Sequence, residues 1–361
     1  MTRPARVVID LNALQHNLSR ARELAPRSKL MAVVKADAYG HGLVRMASAL
    51  TSADAFGVAC MEEAEELRAA EISQPIVLLE GPYSGVELVR AHELGLDIVV
   101  HHDYQLELIE RSGIPSPINV WLKIDSGMHR LGFDPGAVPA ARRRLQHCSI
   151  VGNIRLMTHF AAAGDLNNPM TREQLQLFNT VCANLEGERC LANSAAVIAW
   201  PDTHGDWIRP GLMLYGVSPM DGGSAADHSL RAVMSLESEL ISVKQLKQGD
   251  PVGYGAEWRC PEDMPVGIVA TGYGDGFPRH AKSGTPVMIE GIETTIIGNT
   301  SMDMLAVDLR KIPQARVGLR VELWGTNLPI ERIARHAGTI PYEILCAVHK
   351  RLKFIERHGE S

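Results

Sequence analysis

Apolar residues in the first two thirds of the chain form short continuous runs, separated by segments with the spacing of an amphipathic helix. The runs at residues 30–34, 55–59 and 76–79 begin the series, and five further units begin near residues 97, 118, 150, 189 and 207. A short apolar run followed by a helical segment is typical of a βα unit with a buried, parallel strand. Eight such units in succession predict a closed (β/α)₈ barrel, the TIM barrel.

The pattern changes near residue 229. Strand-like segments then follow one another with glycine and proline between them, and only residues 330–335 and 342–349 have helical spacing. We therefore predict a mainly β domain at residues 229–361 after a barrel domain at residues 1–228. The strand-like residues 6–10 precede the barrel units and are candidates for pairing with the β domain.

Length, charge and cysteine usage narrow the class of protein. A chain of 361 residues suits two domains, and its formal net charge of −6 argues against a general nucleic-acid binder. The apolar run at residues 7–9 is too short for a signal peptide, and no run reaches the roughly 18 residues of a membrane span. Six scattered cysteines without a C-x-x-C pair indicate reduced thiols and no metal site. We expect a cytoplasmic protein without a nucleic-acid or membrane partner.

Lys35 ends the first apolar run, which is an unusual place for a lysine. Removing an ammonium group from water is costly, so a lysine there can lose its proton and act as a nucleophile toward a carbonyl cofactor. The alternative is a lysine at a strand end whose amine extends into solvent.

Active sites of such barrels lie at the C-terminal ends of the strands. Polar residues end or follow several of the other predicted strands: Lys123 and Arg130 after the fifth, His159 at the sixth, Asn193 and Ser194 after the seventh, and Arg209 and Gly211 at the eighth.

The last two of these strand ends favour a phosphate site. Loops after the seventh and eighth strands often bind phosphate, and Gly211 lets backbone N–H groups approach an anion closely. Phosphate together with Lys35 indicates pyridoxal 5′-phosphate (PLP); as an alternative, or in addition, Ser194 caps a helix. Arg209 cannot accept a proton, and beside the cofactor ring nitrogen it would repel a pyridinium charge, so the ring would delocalise a carbanion only modestly. That property would suit a reaction that removes one proton and returns one. The alternative role of Arg209 is a structural salt bridge.

Seven motifs in order make a family resemblance visible. They are Ala32–Gly42, Lys123–Phe133, Thr158–Phe160, Asn193–Ala196, Arg209–Gly216, Val252–Gly255 and Ser301–Met304. The chain resembles the alanine racemases of the PLP-dependent barrel class, fold type III, over nearly its whole length. The resemblance implies interconversion of L- and D-alanine, PLP as cofactor, and a head-to-tail homodimer with shared active sites.

The resemblance also implies roles for single residues. Lys35 matches the lysine that holds PLP and serves as one base, and Tyr254 matches the second base, which comes from the other subunit. Lys123 matches a lysine that is carbamylated in many members. The remaining matches are Tyr39, Arg130, His159, Asn193, Ser194, Arg209, Gly211, Leu212 and Tyr342 around the cofactor, Arg130 and Met302 at the substrate, and Tyr273 and Asp303 at the entrance.

Two bases on opposite faces are the simplest means of racemisation, because the proton leaves one face and returns to the other.

The segment Gly298-Asn299-Thr300 departs from the Arg-Val of many relatives, so a serine racemase or a racemase of broader range stays open. An amino-acid decarboxylase is disfavoured because that class places a carboxylate at the ring nitrogen, where Arg209 stands. A non-catalytic PLP carrier is disfavoured by the β domain and Tyr254. The sequence leaves a biosynthetic or a catabolic role open.

Overall fold

The structure is a computed structural model, and it describes residues 3–115 and 117–357. The strands are β1 (Arg6–Asp10), β2 (Lys29–Val33), β3 (Ala55–Val58), β4 (Ile76–Leu78), β5 (Leu96–Val100), β6 (Ile118–Lys123), β7 (Val151–Met157), β8 (Arg189–Asn193), β9 (Trp207–Arg209), β10 (Met234–Leu246), β11 (Pro251–Val252), β12 (Trp258–Arg259), β13 (Met264–Val269), β14 (Pro286–Ile289), β15 (Ile292–Ile297), β16 (Leu305–Asp308), β17 (Arg320–Trp324) and β18 (Lys353–Arg357).

The helices are α1 (Leu11–Leu24), α2 (Lys35–Gly40), α3 (Leu43–Ala49), α4 (Met61–Ala69), α5 (Gly85–Glu93), α6 (Asp103–Arg111), α7 (Val138–His147), α8 (Met170–Val181), α9 (Ser194–Ala199), α10 (Ile330–Ala337) and α11 (Pro341–Cys346). Short 3₁₀ turns include Leu212–Tyr215, Tyr254–Ala256 and Tyr273–Asp275. No helix in the described ranges is both long and apolar enough to cross a membrane.

Strands β2 to β9 form a closed parallel barrel, in which β9 pairs back with β2. This confirms the predicted (β/α)₈ barrel. Each strand contributes one side chain to a buried core cluster, which consists of Met31, Ala55, Val77, Val99, Trp121, Met157, Cys190 and Trp207. The continuous apolar runs of the sequence are therefore explained by strands that are buried on both faces.

Charged residues close the barrel at the N-terminal end of its strands. Arg155 donates to Asp97 and Glu188 over 2.9 and 2.7 Å, and its guanidinium lies 5.0 Å from the centre of the Trp121 ring. The amine of Lys29 lies 2.6 Å from Glu188. Burial alone would raise the pKa of Glu188, but hydrogen bonds from Lys29, Trp207 and Arg155 lower it to about 2. This end of the barrel is thus built from matched charges.

The mainly β part of the chain confirms the predicted second fold. Its eight-stranded sheet has the order β13-β16-β15-β14-β17-β10-β1-β18, and an additional pairing of β10 with β13 closes a ring of six strands. Strand β10 takes part in both ends of that ring because its register shifts between Leu236 and Glu237 and again between Leu240 and Ser242. Strand β1 pairs antiparallel with β10 and parallel with β18, so residues 6–10 lie within this sheet.

The described chain divides into two compact units. One contains Asn17–Leu214 and Pro219–Gly222, and the other contains Met1–His16, Tyr215–Ser218 and Gly223–Ser361. The predicted boundary between residues 228 and 229 stays a prediction of where the functional domains meet. Strand β18 was not predicted, because the segment Lys-Phe-Ile-Glu-Arg is half exposed and lacks an alternating apolar pattern.

Candidate active site

The backbone after β2 differs from the expectation for Lys35. The strand ends at Val33, so half-buried Lys35 lies two residues beyond it and not at its end. The next four residues, Ala36–Tyr39, are left-handed, with φ between 52° and 54°. Left-handed backbone costs a non-glycine residue about 1–2 kcal/mol, so a turn of this kind persists only where its surroundings enforce it.

Specific hydrogen bonds hold this left-handed turn. The N–H of Ala36 donates to Glu63 Oε1 over 2.6 Å, and the N–H of Leu43 donates to Asp37 Oδ1 over 2.7 Å. The imidazole Nδ1 of buried His41 lies 3.0 and 2.9 Å from the carbonyl oxygens of Ala38 and Tyr39. Burial lowers the pKa of His41 to about 4, so its ring is neutral near pH 7.

His41 and Glu63 are therefore positioning residues that the sequence interpretation missed. His41 lies within the motif Ala32–Gly42, which was the available signal. Nothing in the sequence linked Glu63, which lies on α4, to the segment that follows Lys35.

A polar cradle lies where α9 begins and β9 ends. Ser194 Oγ accepts hydrogen bonds from the N–H groups of Gly211 and Met213 over 2.8 and 3.3 Å. The helix cap is Asn193, whose side chain accepts from the N–H of Ala196 over 3.1 Å, so the alternative role of Ser194 as the cap residue is wrong. A Cβ atom on Gly211 would lie 2.6 Å from Tyr39 Oη, so only glycine leaves this approach open.

Arg209 is buried at the end of β9, and backbone carbonyl groups hold its guanidinium. Nη1 donates to the Cys190 carbonyl over 2.8 Å, and Nη2 donates to the Thr158 carbonyl over 2.6 Å. Nη2 also lies 3.3 Å from His159 Nδ1. None of the ion pairs found among residues 3–115 and 117–357 involves Arg209, which disfavours the structural salt bridge considered from the sequence.

Positive charges converge at this C-terminal end of the barrel. Burial and then the charges of Arg209, Lys123, Arg130 and Lys35 lower the pKa of His159 well below its usual range. Lys123 is itself buried. Burial, followed by Arg209, Arg130 and Lys35, lowers its pKa to about 8, against an opposing effect of Glu80. This excess of positive charge favours an anionic ligand at the C-terminal end of the barrel.

These residues fit PLP. The cradle of Ser194, Gly211 and Tyr39 offers donors and close backbone access for a phosphate, and Lys35 provides an amine for the aldehyde. Arg209 provides a fixed cation that is already oriented by the backbone. Buried Leu212 follows Gly211 in the chain. Within the described parts of the chain, no three His, Cys, Asp or Glu side chains are grouped closely enough to hold a metal ion.

The other predicted site residues lie in the β-rich unit. Tyr254 begins a 3₁₀ turn and is 73 % exposed, and its carbonyl oxygen accepts a hydrogen bond from the side chain of Asn299 over 3.0 Å. Tyr273, Met302 and Tyr342 are also exposed there. The structure thus brings Lys35, Lys123, Arg130, His159 and Arg209 together in one unit and places Tyr254 in the other.

Two family models match the chain. The model described as alanine racemase, N-terminal domain, matches residues 9–219, and the one described as alanine racemase, C-terminal domain, matches residues 233–356. The chain belongs to the alanine racemase family. The resemblance seen in the sequence is confirmed, and so is the prediction that the chain is an isomerase of this family.

Individual alanine racemases match over nearly their whole length. That of Nitrosococcus oceani is 52 % identical over 96 % of this chain and 97 % of the relative. The catabolic alanine racemase of Pseudomonas aeruginosa is 51 % identical over 95 % of this chain and 96 % of the relative. The crystal structure of the biosynthetic alanine racemase from the same organism superposes with a TM-score of 0.97 at 46 % identity, covering 99 % of this chain and all of that chain (100 %).

Proposed function

We propose that this chain interconverts L- and D-alanine with PLP, using Lys35 and Tyr254 as its two bases. The observation that carries the proposal is the cationic end of the barrel, where Lys35 stands near three further cations and Arg209 is held by carbonyl groups. When bound, PLP supplies an electron-withdrawing ring that makes the α-hydrogen of an attached amino acid acidic.

The residues of the chain then divide the remaining tasks. Ser194, Gly211 and Tyr39 hold the phosphate, together with Asn193, Leu212 and Tyr342 around the cofactor. Arg209 would face the ring nitrogen, where its charge repels a pyridinium and it offers no acceptor for an N–H, so the nitrogen would stay unprotonated and charge delocalisation into the ring would stay modest. That restraint suits a racemase, because it favours return of the proton to the α-carbon over other fates.

Lys35 and Tyr254 move the proton at the α-carbon. The amine of Lys35 takes it from D-alanine and returns it when D-alanine is formed, and the phenol oxygen of Tyr254 does the same for L-alanine. Because Tyr254 belongs to the β-rich unit and is largely exposed, we propose that the partner subunit of a head-to-tail homodimer supplies it. The working site therefore requires two copies of the chain.

Arg130 and Met302 bind the substrate carboxylate, Arg130 through its guanidinium and Met302 through its backbone. Tyr273 and Asp303 line the entrance. In this proposal, the barrel provides most of the cofactor site, and the β-rich unit delivers Tyr342 and the second base. The enzyme acts in the cytoplasm, either by supplying D-alanine for peptidoglycan or by serving alanine catabolism.

We also propose that Lys123 is carbamylated. Its lowered pKa of about 8 leaves roughly a tenth of the amine neutral at pH 7, and the neutral amine attacks CO₂. The N–C bond forms, one N–H proton is released to solvent, and the product is an anion that accepts hydrogen bonds from Arg130. Native mass spectrometry checks this: the bare mass in bicarbonate buffer would contradict it.

Steady-state turnover with a panel of L- and D-amino acids tests the function. Conversion of alanine well ahead of all others is the expected result. Serine turned over as fast as alanine would favour the broader-range alternative, for which Asn299 next to the Tyr254 carbonyl is the supporting observation. PLP binding without any racemisation would overturn the proposal and favour a carrier.

A further inference from the structure

A buried carboxylate links both ends of the chain to the proposed substrate loop. The side chain of Asp275 has no solvent exposure, and it accepts hydrogen bonds from Arg3 Nη2 over 2.7 Å and from Arg351 Nε over 2.8 Å. The N–H of Gly272 and the hydroxyl of Thr271 donate to its Oδ2 over 3.0 and 3.2 Å. A buried carboxylate with this many donors is held in one position.

The two arginines continue from Asp275 to the segment that follows Ser301. Arg3 Nη2 donates to the carbonyl oxygen of Asp303 over 2.9 Å, and Arg351 Nη2 donates to Asp303 Oδ1 over 2.8 Å. The same Nη2 of Arg351 lies 3.5 Å from the carbonyl oxygen of Met302. Each guanidinium thus connects Asp275 to the backbone or side chain of residues 302–303.

Backbone contacts join the same two segments directly. The N–H of Tyr273 donates to the Ser301 carbonyl over 3.1 Å, and the N–H of Gly274 donates to the Met302 carbonyl over 2.9 Å. A Cβ atom on Gly272 would lie 2.2 Å from the Ser301 carbonyl oxygen, so the segments are too close for any side chain there. Residues 272–275 and 301–303 therefore move as one body, which the two arginines fix to the chain ends.

We propose that Asp275 is a positioning residue that, through Arg3 and Arg351, sets the place of the Met302 backbone and Tyr273 for substrate binding. The inference rests on the proposed function, which assigns Met302 to the substrate carboxylate and Tyr273 to the entrance. Asp275 touches neither substrate nor cofactor. Its charge matters because the carboxylate holds both guanidinium groups, and through them residues 302–303, in one position.

The test uses the PLP-loaded full chain and compares Asp275→Asn with Arg351→Lys and Arg351→Met. Asp275→Asn keeps the size of the side chain but loses the charge that holds both guanidinium groups. The expected result is a KM for L-alanine raised about tenfold with kcat changed less than about threefold, because ground-state and transition-state binding weaken together. Arg351→Met should raise KM similarly. Arg351→Lys, which keeps the positive charge, should raise KM less.

Calorimetric binding separates positioning from a purely structural role. Propionate, which is alanine without its amino group, should bind the Asp275→Asn enzyme about tenfold more weakly, whereas loss of folded protein would lower only the number of sites. Glu293→Gln is the matched control, since it removes a two-bond partner of Arg332 over 2.8 and 2.9 Å elsewhere in the same unit. That control should leave propionate binding unchanged.

The outcomes distinguish this inference from the proposed function. An unaltered chain that racemises no alanine overturns the proposed function. An active unaltered chain whose KM and propionate affinity are unchanged by Asp275→Asn and Arg351→Met overturns the positioning role. If Asp275→Asn does not fold, the Arg351→Lys and Arg351→Met pair decides alone.

Discussion

At the N-terminal end of the barrel strands, Arg155 and Lys29 donate to Asp97 and Glu188, and each positive charge has a carboxylate partner. At the C-terminal end, Arg209 donates to carbonyl oxygens. One cluster of cations there also depresses the pKa of both His159 and Lys123. The first arrangement stabilises the fold, whereas the second raises the free energy of the folded chain until an anion binds. The same barrel therefore separates a stabilising end from an end whose charge suits an anionic ligand.

The largest effect is expected at Lys35, and Lys29, the first residue of β2, is its counterpart. Lys35→Met should lower racemisation by about 10³-fold or more, because it removes the proposed base, which is also the amine proposed to hold the cofactor. Lys29→Met, at the N-terminal end of β2, should change the rate less than about twofold. Racemase assays, with mass spectrometry of the borohydride-reduced protein, check both variants. Equal losses would contradict the division between the two ends.

A second comparison exchanges the two arginines for glutamine. Arg209→Gln should lower kcat about 10²-fold and raise the pKa of His159, because the nearest cation is removed. Arg155→Gln should leave kcat unchanged and lower the free energy of unfolding by about 2 kcal/mol, since Asp97 and Glu188 lose their shared partner. Rate assays, histidine NMR titration and urea unfolding check the pair. A catalytic loss in Arg155→Gln with unchanged stability would oppose the comparison.

Removing the charge of Lys123 at the C-terminal end of the barrel and that of Glu188 at the N-terminal end should change the free energy of unfolding in opposite directions. Unmodified Lys123 has a folded-state pKa of about 8 against an ordinary 10.5, so its burial opposes folding below pH 8 and ceases to do so above pH 10.5. In buffer kept free of CO₂, where the carbamate does not form, Lys123→Met should therefore raise the free energy of unfolding at pH 7 by about 2 kcal/mol and abolish the rise in stability between those pH values. Urea unfolding across that range measures the effect. A destabilised Lys123→Met variant would indicate the carbamate, which is an anion.

Glu188→Gln is the smaller counterpart. The folded-state pKa of Glu188 is about 2 against an ordinary 4.5, so its ionisation supports folding above pH 4.5, and this support is lost as the pH falls toward 2. We expect the substitution to lower the free energy of unfolding at pH 7 by about 1 kcal/mol, a value reduced for partial exposure. The difference from the unaltered chain should disappear near pH 2. A constant difference at every pH would exclude the charge as its cause.

The sequence predicted the barrel well because eight buried strands leave continuous apolar runs that no surface strand would have. The candidate site residues could be named from the sequence because the position of an active site in this fold follows from strand direction, although Lys35 lies two residues beyond its strand. The left-handed turn at Ala36–Tyr39 was not predictable, because none of its residues is a glycine and Glu63, which supports it, is distant in sequence.

The link from Asp275 to Arg3 and Arg351 was equally hidden. These residues lie at opposite ends of the chain, and only the parallel pairing of β1 with β18 reveals that the two ends meet. Long-range pairs of this kind leave no local pattern of hydrophobic and polar residues. Candidate chemical groups can thus be named from the sequence more readily than the residues that hold them in place.

The most direct test of the two-base account is exchange of the α-hydrogen of alanine with deuterated solvent, followed by NMR in the PLP-loaded Tyr254→Phe variant. Racemisation in both directions must fall together, because one equilibrium constant joins them, but exchange can separate the bases. The account predicts that D-alanine still exchanges through Lys35 whereas L-alanine does not. The exposed Tyr83→Phe variant is the control and should exchange both. Equal exchange of the two enantiomers by Tyr254→Phe would contradict the account.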